Sequence, residues 1–257
     1  TIVVDGESFA LQLVPSGIPQ MAETPDRMVS VVRSKGVKAK ADFLTGAAPL
    51  VIPPKTKAIV LVDREKLILG YPELTVSGGE GAKIRLSYEE ALFKYPEVSY
   101  WKLIKGDRND TKNKAIRENY KYDEFYPDGG DRRVFKTLWW RTMRFVQFDI
   151  ETADEPLRID DFRVFATNYP FKAQASFDSS DASLRTIFDV GWYSALLCAQ
   201  ETYIDGPFYE EQQYVGDTRV QAFITYYMSL DDRLSRNAID QIDDSRTQLR
   251  ACSTLVT

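Results

Sequence analysis

The chain has 257 residues, a net charge of −5 at neutral pH and no histidine. The absence of histidine excludes Ser-His-Asp and Cys-His catalysis, histidine-ligated zinc and an imidazole general base within this sequence, so catalysis here needs carboxylates, Tyr, Lys or Cys, or residues outside the chain. The acidic balance gives no electrostatic support for binding to nucleic acid or acidic membranes, and no apolar stretch is long enough to cross a bilayer.

The longer N-terminal part of the chain has the pattern of β-strands. Apolar and polar side chains alternate with period two in residues 82–88 and 144–151, which predicts half-buried strands. Short apolar runs at residues 57–62 and 66–69 are bounded by charged or turn-forming residues. Short strands separated by turn signals are typical of an antiparallel sandwich. The polar residues 105–133 predict a long loop or insertion.

From about residue 178 the apolar spacing becomes helical. The sequence predicts a first helix with Ser180 as N-cap and Asp181 in its first turn, a second helix that begins near Asp217 or Thr218, and a third that begins near Asp231. Each helix has an apolar stripe expected to face inward. The stripes contain Leu184, Ile187, Phe188, Gly191, Ala195, Leu196 and Ala199, then Val220, Phe223, Ile224, Tyr227 and Met228, then Leu234, Ala238 and Ile242.

The loop between the first two predicted helices concentrates acidic and aromatic side chains. Its acids are Asp205, Glu210, Glu211 and Asp217, and its aromatic residues are Tyr203, Phe208, Tyr209 and Tyr214. Aromatic rings stack on pyranose rings, carboxylates accept hydrogen bonds from sugar hydroxyls, and crowded carboxylates raise the pKa of one that can then protonate a glycosidic oxygen. The pattern therefore indicates a sugar site. The structural alternative makes Asp217 a helix N-cap and the tyrosines packing residues.

Residues 205–217, with the sequence DGPFYEEQQYVGD, resemble the signature of glycoside hydrolase family 78, the bacterial α-L-rhamnosidases. That signature is Asp-Cys-Pro-x-Arg-Glu, three residues, an aromatic residue, one residue, and Gly-Asp. Further motifs resemble the same family in the same order, and the resemblance extends to about Arg246. They are PSGIP at 15–19, Gly78-Gly79, SYEEAL at 87–92, KGDRN at 105–109, LWWR at 138–141, YPF at 169–171 and Ser176-Phe177.

The resemblance implies a fold and a reaction. The fold is a jelly-roll-like β-sandwich over residues 1–172, followed by the first helices of an incomplete (α/α)6 barrel over residues 173–257. The reaction is hydrolysis of terminal α-L-rhamnose with inversion, without a cofactor or metal. The expected partner is therefore a carbohydrate substrate, with self-association possible through exposed barrel helices. The resemblance also suggests a periplasmic or extracellular location.

The resemblance also assigns roles to the acidic loop. Glu210 is implied as the general acid, with a pKa raised by its aromatic and acidic neighbours. Asp205 and Asp217 are implied to bind rhamnose hydroxyls. Tyr214 stands where the family usually has Trp and is expected to line the sugar pocket, and Tyr209 belongs to the same substrate-binding set.

Three departures from the family pattern bear on the function. Gly206 replaces the family's Cys, and Tyr209 replaces its Arg, which removes a cation that can orient a carboxylate. The family's general base is a Glu far downstream, and no residue of this chain matches it. The chain begins at Thr1 and its residues 247–257 do not resemble the family, so we expect a truncated or partial protein.

Two other functional interpretations stay open at this point. One is a non-catalytic carbohydrate-binding sandwich, with Trp101, Trp139 and Trp140 as a sugar platform, although Trp139-Trp140 also fits one surface and one core residue of a strand. The other is an interdomain packing unit without a ligand. Cys198 lies in an apolar run and is expected to be a small buried hydrophobe rather than a nucleophile.

Overall fold

The computed structural model describes residues 2–4, 7–9, 15–99, 102–245 and 255–256, with only the backbone described at 2–4, 7–9 and 255–256. The chain divides into two compact units. The sandwich unit consists of Ala22–Asn168 and Gly206–Glu211, and the helical unit consists of Thr1–Met21, Tyr169–Asp205 and Gln212–Thr257. The division of the sequence into domains 1–172 and 173–257 stays a prediction. Trp101 and most of the divergent tail lie outside the described residues.

The helices and strands have the following bounds in chain order. They are β1 Ile2–Val4, β2 Glu7–Phe9, β3 Ala22–Asp26, β4 Ser30–Lys35, α1 Asp42–Thr45, β5 Leu50–Ile52, β6 Lys57–Gly78, β7 Lys83–Glu89 and β8 Tyr122–Phe125. They continue with β9 Arg133–Lys136, β10 Arg141–Glu151, β11 Leu157–Asn168, α2 Ala182–Leu197, β12 Gln213–Tyr214, α3 Val215–Ser229, α4 Arg233–Asp244 and β13 Leu255–Val256.

The strands β3 to β11 form one antiparallel hydrogen-bonded network. The main order is β3-β11-β6-β10-β7-β8, with β4 and β9 also paired to β6 and β5 paired to β11. The long strand β6 joins both parts, because residues 57–63 pair with β4 and β10 while residues 70–78 pair with β11. One core cluster takes side chains from both halves of β6 and from β7, β10 and β11. This arrangement is that of a β-sandwich whose layers share a strand.

The period-two alternation in the sequence is confirmed in β7 and β10. The residues that it predicts to be buried are buried in the structure, and they are Ala82, Ile84, Leu86, Tyr88, Val146, Phe148 and Ile150. Burying one face of a strand leaves the alternate side chains on the other face. The sandwich core therefore follows directly from a local pattern.

The prediction of a long loop at residues 105–133 is incomplete. The segment contains β8, which pairs with β7, and it buries Lys114, Ile116 and Arg117. Ile116 belongs to a second cluster with Leu92 and other core residues. Part of this segment therefore packs on the sandwich, although its polar composition predicts a loop.

The helices of the helical unit begin close to their predicted positions, with different caps. Asp181, not Ser180, caps α2, because its carboxylate accepts a hydrogen bond of 2.9 Å from the backbone N–H of Ser183. Helix α3 begins at Val215, shortly before the predicted start, and α4 begins at Arg233. None of the described helices is both long and apolar enough to cross a membrane.

Most apolar side chains of α2 and α3 do not face inward as predicted. Ile187 is 65% exposed and Val220 is 58% exposed, whereas Ala195 and Met228 are buried. The core of the helical unit is made instead by Tyr169, Ala199, Tyr203, Ala222, Leu234 and Ala238. The prediction is wrong here because an apolar helix stripe becomes buried only where another element covers it.

Candidate functional site

The acidic loop is divided between the two units. Asp205, Tyr214 and Asp217 belong to the helical unit, and Tyr209 and Glu210 belong to the sandwich unit. The motif is therefore built from two separate sets of contacts.

In the helical unit, Asp205 hydrogen-bonds to Gln212 and so joins the two ends of the loop segment 206–211. Its backbone N–H donates to the carbonyl of Gln212 over 2.8 Å, and its carboxylate Oδ1 accepts from the N–H of Gln212 over 3.0 Å. The preceding carbonyl, of Ile204, accepts from Gln221 of α3 over 2.8 Å. One oxygen of the Asp205 carboxylate thus fixes the two ends of the loop, and within the described residues its second oxygen has no hydrogen bond.

Asp217 and Tyr214 lie where α3 begins. Tyr214 is the N-cap, with extended backbone and no capping side-chain bond, and Asp217 is exposed in the first turn. The interpretation of Asp217 as an N-cap is therefore wrong, although a carboxylate in the first turn is still favoured by the helix dipole. Tyr214 is half-buried and also belongs to β12.

The charges of Asp205 and Asp217 both influence the pKa of the Cys198 thiol. Burial raises the pKa of the Cys198 thiol to about 11, and the negative charges of Asp205 and then Asp217 contribute to the increase. Both carboxylates implied to bind sugar therefore lie close enough to Cys198 for their charges to affect its thiol. The same pKa supports the prediction that Cys198 is no nucleophile, because the thiolate is the reactive form.

We expect Cys198 to react slowly with iodoacetamide. At pH 8 its alkylation should be at least about tenfold slower than in the urea-unfolded chain, since the lower thiolate fraction outweighs the higher nucleophilicity of a thiol with raised pKa. Asp205→Asn and Asp217→Asn should each speed the reaction about two- to threefold by removing a negative charge. Peptide mass spectrometry resolves the rate, with Asp240→Asn as the matched control. Equal rates in all variants would contradict the electrostatic explanation.

In the sandwich unit, residues 206–211 are held at three points. The hydroxyl of Thr142 donates to the carbonyl of Pro207. The hydroxyl of Tyr209 donates to the Glu90 carboxylate over 2.9 Å. The Glu211 carboxylate pairs with the ammonium of Lys121. Polar side chains on both sides of Glu210 are thus used to fix the segment.

A buried ion pair lies beneath this segment. The guanidinium of Arg117 donates to the Glu89 carboxylate over 2.6 and 3.0 Å, and their side chains are 8% and 1% exposed. The same guanidinium is 3.5 Å from the ring centroid of Tyr120 and 5.6 Å from those of Phe208 and Tyr209. Cation–π contacts of this kind join the loop aromatics to the sandwich.

Arg117 and Lys105 bring two cations close to the ring of Tyr209, the residue for which the resemblance implies an Arg. Lys105 lies 5.3 Å from the Tyr209 ring centroid and pairs with Glu90. The sequence did not predict these two contacts, because both cations come from the polar segment 105–133. The KGDRN motif at 105–109 was the available signal.

Glu210 differs from its neighbours Tyr209 and Glu211, whose side chains bind to the sandwich. Its side chain is exposed, and within the described residues it makes no hydrogen bond or ion pair. The next residue, Glu211, has a φ of 59°, a left-handed conformation that costs roughly 1 kcal/mol for a residue with a Cβ. Anchored and strained neighbours therefore present the Glu210 carboxylate to solvent.

The exposed and buried tryptophans match one of the sequence interpretations. Trp139 is 58% exposed and Trp140 is 4% exposed, with ring centroids 5.5 Å apart. They precede β10 rather than lying in a strand.

No cluster of three or more Asp, Glu or Cys side chains suited to a metal ion occurs in the part of the chain that the structure describes. Two acids just before β9 have protein partners: Asp128 accepts a hydrogen bond from Arg133 and Asp131 accepts one from Ser77, each over 2.9 Å.

The chain resembles solved α-L-rhamnosidase structures. No family model and no curated protein sequence matches it. The glycoside hydrolase family 78 rhamnosidase of a Bacillus species matches 85% of this chain with a TM-score of 0.65 and 19% identity, over 22% of its own length. The Klebsiella oxytoca rhamnosidase, solved with rhamnose bound, matches 94% with a TM-score of 0.70 and 17% identity, over 48% of its length.

A third match is the Streptomyces avermitilis α-L-rhamnosidase in complex with L-rhamnose. It covers 91% of this chain at a TM-score of 0.61 and 14% identity, over 19% of its own length. The chain therefore spans less than half of each of these proteins. The resemblance inferred from the motifs is confirmed at the level of the fold, which this chain shares with the matching part of α-L-rhamnosidases.

Proposed function

We propose that this chain is part of a glycoside hydrolase that removes terminal α-L-rhamnose with inversion, and that Glu210 is its general acid. The observation that carries the proposal is that Glu210 is exposed and makes no hydrogen bond or ion pair within the described residues, although the residues on both sides of it are anchored. The shared fold supports the choice of reaction, because the family motif lies in a chain with the fold of solved rhamnosidases.

In this mechanism Glu210 donates its proton to the glycosidic oxygen as the bond from that oxygen to the anomeric carbon breaks. Water attacks the opposite face of the sugar and loses its proton to a second carboxylate. Asp205 and Asp217 accept hydrogen bonds from rhamnose hydroxyls, and Tyr214 and Tyr209 contribute aromatic surface to the sugar pocket. The general base is a residue outside this chain, so hydrolysis is expected of the longer protein.

The helical unit is proposed as the beginning of an (α/α)6 barrel in residues 173–257, after a jelly-roll-like domain in residues 1–172. The exposed apolar side chains of α2 and α3 support this proposal, since such side chains normally pack against further elements. Further barrel helices would cover them in the longer protein. Self-association through the same faces is the expected behaviour of the isolated chain.

Proton NMR of the reaction in progress tests the proposed mechanism. With the full-length protein and 4-nitrophenyl α-L-rhamnoside, we expect β-L-rhamnose as the first sugar formed, with the α-anomer appearing later by mutarotation. The isolated 257-residue chain is the control and should give no product. Formation of the α-anomer first would contradict inversion, and no hydrolysis by the full-length protein would contradict the proposed function.

A further inference from the structure

One wall of a small cavity in the sandwich unit is formed by the residue that follows the proposed acid in the chain. Its volume is about 270 Å³, and it is lined by Tyr88, Tyr120, Lys121, Tyr122, Trp140, Arg141, Thr142 and Glu211. Glu211 directly follows Glu210 in the chain. Ligand pockets commonly measure about 300–1,000 Å³, so a cavity of this size suits one monosaccharide rather than a longer glycan.

The walls of the cavity combine aromatic rings with polar groups, as carbohydrate recognition requires. Tyr122 is 41% exposed and offers an accessible aromatic surface, while Trp140 is buried. The hydroxyl of Tyr88 is buried, and within the described residues none of its neighbours meets hydrogen-bond geometry. Burial raises the pKa of Tyr88 well above its usual value, and the nearby Asp123 carboxylate raises it further, so this hydroxyl stays a protonated donor.

The charges around the cavity are already paired. Arg141 donates to the Asp123 carboxylate over 2.8 and 2.7 Å, and Lys121 pairs with Glu211. The Asp123 carboxylate raises the pKa of Arg141, and the charge of Glu211 adds to this effect. A ligand therefore meets donors and acceptors without a net charge to neutralise. This favours a neutral, hydroxyl-rich ring over a charged sugar.

We propose that this cavity binds the sugar unit to which the terminal rhamnose is attached, as a neutral hexopyranose. The inference rests on the proposed function, because a general acid protonates the oxygen that leaves with this sugar. The leaving group must therefore lie on the side of the acid. The cavity is assigned to the leaving group because Glu211, which forms part of its wall, is the residue next to Glu210 in the chain.

Substitution of Tyr122 tests the assignment by comparing two leaving groups. In the full-length protein, Tyr122→Ala should lower kcat/KM about tenfold for α-L-rhamnosyl-(1→6)-D-glucose, mainly through a higher KM, and by less than about twofold for α-L-rhamnosyl fluoride, whose fluoride leaving group is too small to contact the cavity wall. Arg85, which stacks on the Tyr122 ring, is also held by Glu124 over 2.9 and 2.7 Å, so the strand should survive the truncation.

Tyr126→Ala is the matched control, because Tyr126 is 61% exposed in the same unit and does not line the cavity. This variant should leave kcat/KM for both substrates unchanged. Equal losses on both substrates, or no loss on the disaccharide, would overturn the proposal.

A binding measurement keeps this inference separate from the proposed function. Saturation-transfer NMR should detect methyl β-D-glucopyranoside or methyl β-D-galactopyranoside on the wild type and on Tyr126→Ala, and not on Tyr122→Ala. This result would support the cavity even if the full-length protein hydrolysed no rhamnoside. Absence of binding to the wild type, or stronger binding of methyl β-D-glucuronide than of either neutral sugar, would overturn the proposal.

Discussion

Glu210→Gln in the full-length protein is expected to lower kcat/KM for a rhamnosyl disaccharide by about 10²- to 10⁴-fold, the usual contribution of a positioned general acid. A glutamine keeps the size and the hydrogen-bonding capacity of the side chain but has no acidic proton. The loss should be much smaller for 4-nitrophenyl α-L-rhamnoside, because nitrophenolate leaves without needing protonation. Glu210 is exposed and makes no hydrogen bond or ion pair within the described residues, so the variant should fold normally.

The dependence on the leaving group distinguishes an acid from a residue that binds substrate. Loss of binding would affect both substrates alike, since both carry the same rhamnose. Glu201→Gln serves as the control, because Glu201 is an exposed glutamate outside the motif. Equal losses on the two substrates, or unchanged turnover of the disaccharide, would contradict the role of Glu210.

Glu89→Gln is expected to lower the free energy of unfolding by about 3 kcal/mol. The substitution leaves the Arg117 guanidinium buried without the carboxylate that accepts two of its hydrogen bonds, at 2.6 and 3.0 Å. For a unit of this size such a loss corresponds to a fall in Tm of roughly 10 °C. Because Arg117 also contacts the rings of Phe208 and Tyr209, the segment that carries Glu210 should loosen as well.

Glu151→Gln is the matched control for this stability measurement. Glu151 also pairs with a cation, Lys57, over 3.2 Å, but these side chains are 59% and 80% exposed. An exposed pair contributes about 0–1 kcal/mol, so the Tm of this variant should change by only a few degrees at most. Differential scanning calorimetry checks both variants. A Glu89→Gln variant as stable as Glu151→Gln would show that the buried pair does not hold the segment.

The sandwich could be predicted from the sequence because strand alternation is a local property. Its longest strand could not, since β6 is a 22-residue strand that the sequence divides into two short apolar runs around Asp63 and Arg64. Those charges are accommodated by distant partners. Arg144 donates to Asp63 over 3.0 and 3.1 Å, and Arg64 donates to Asp26 over 2.8 Å. Such partners are invisible to a pattern read along the chain.

The acidic loop could be located from its motif, but not the way it is held. The residues that anchor it, Glu90, Arg117, Lys121 and Thr142, come from the sandwich and lie far from it in the chain. The helix stripes failed for a related reason, because hydrophobic periodicity identifies an apolar face without identifying what covers it. Ile187 and Val220 lie on such faces and are exposed.

The most direct test of the proposed function is the substrate preference of the full-length protein. We predict that kcat/KM for 4-nitrophenyl α-L-rhamnoside exceeds that for the corresponding α-L-fucoside, α-D-mannoside and β-D-glucoside by at least about 10²-fold, because the carboxylates proposed to bind rhamnose hydroxyls meet hydroxyls in other positions on the other sugars. Hydrolysis of another glycoside at an equal or higher rate, or no hydrolysis of the rhamnoside, would contradict the account.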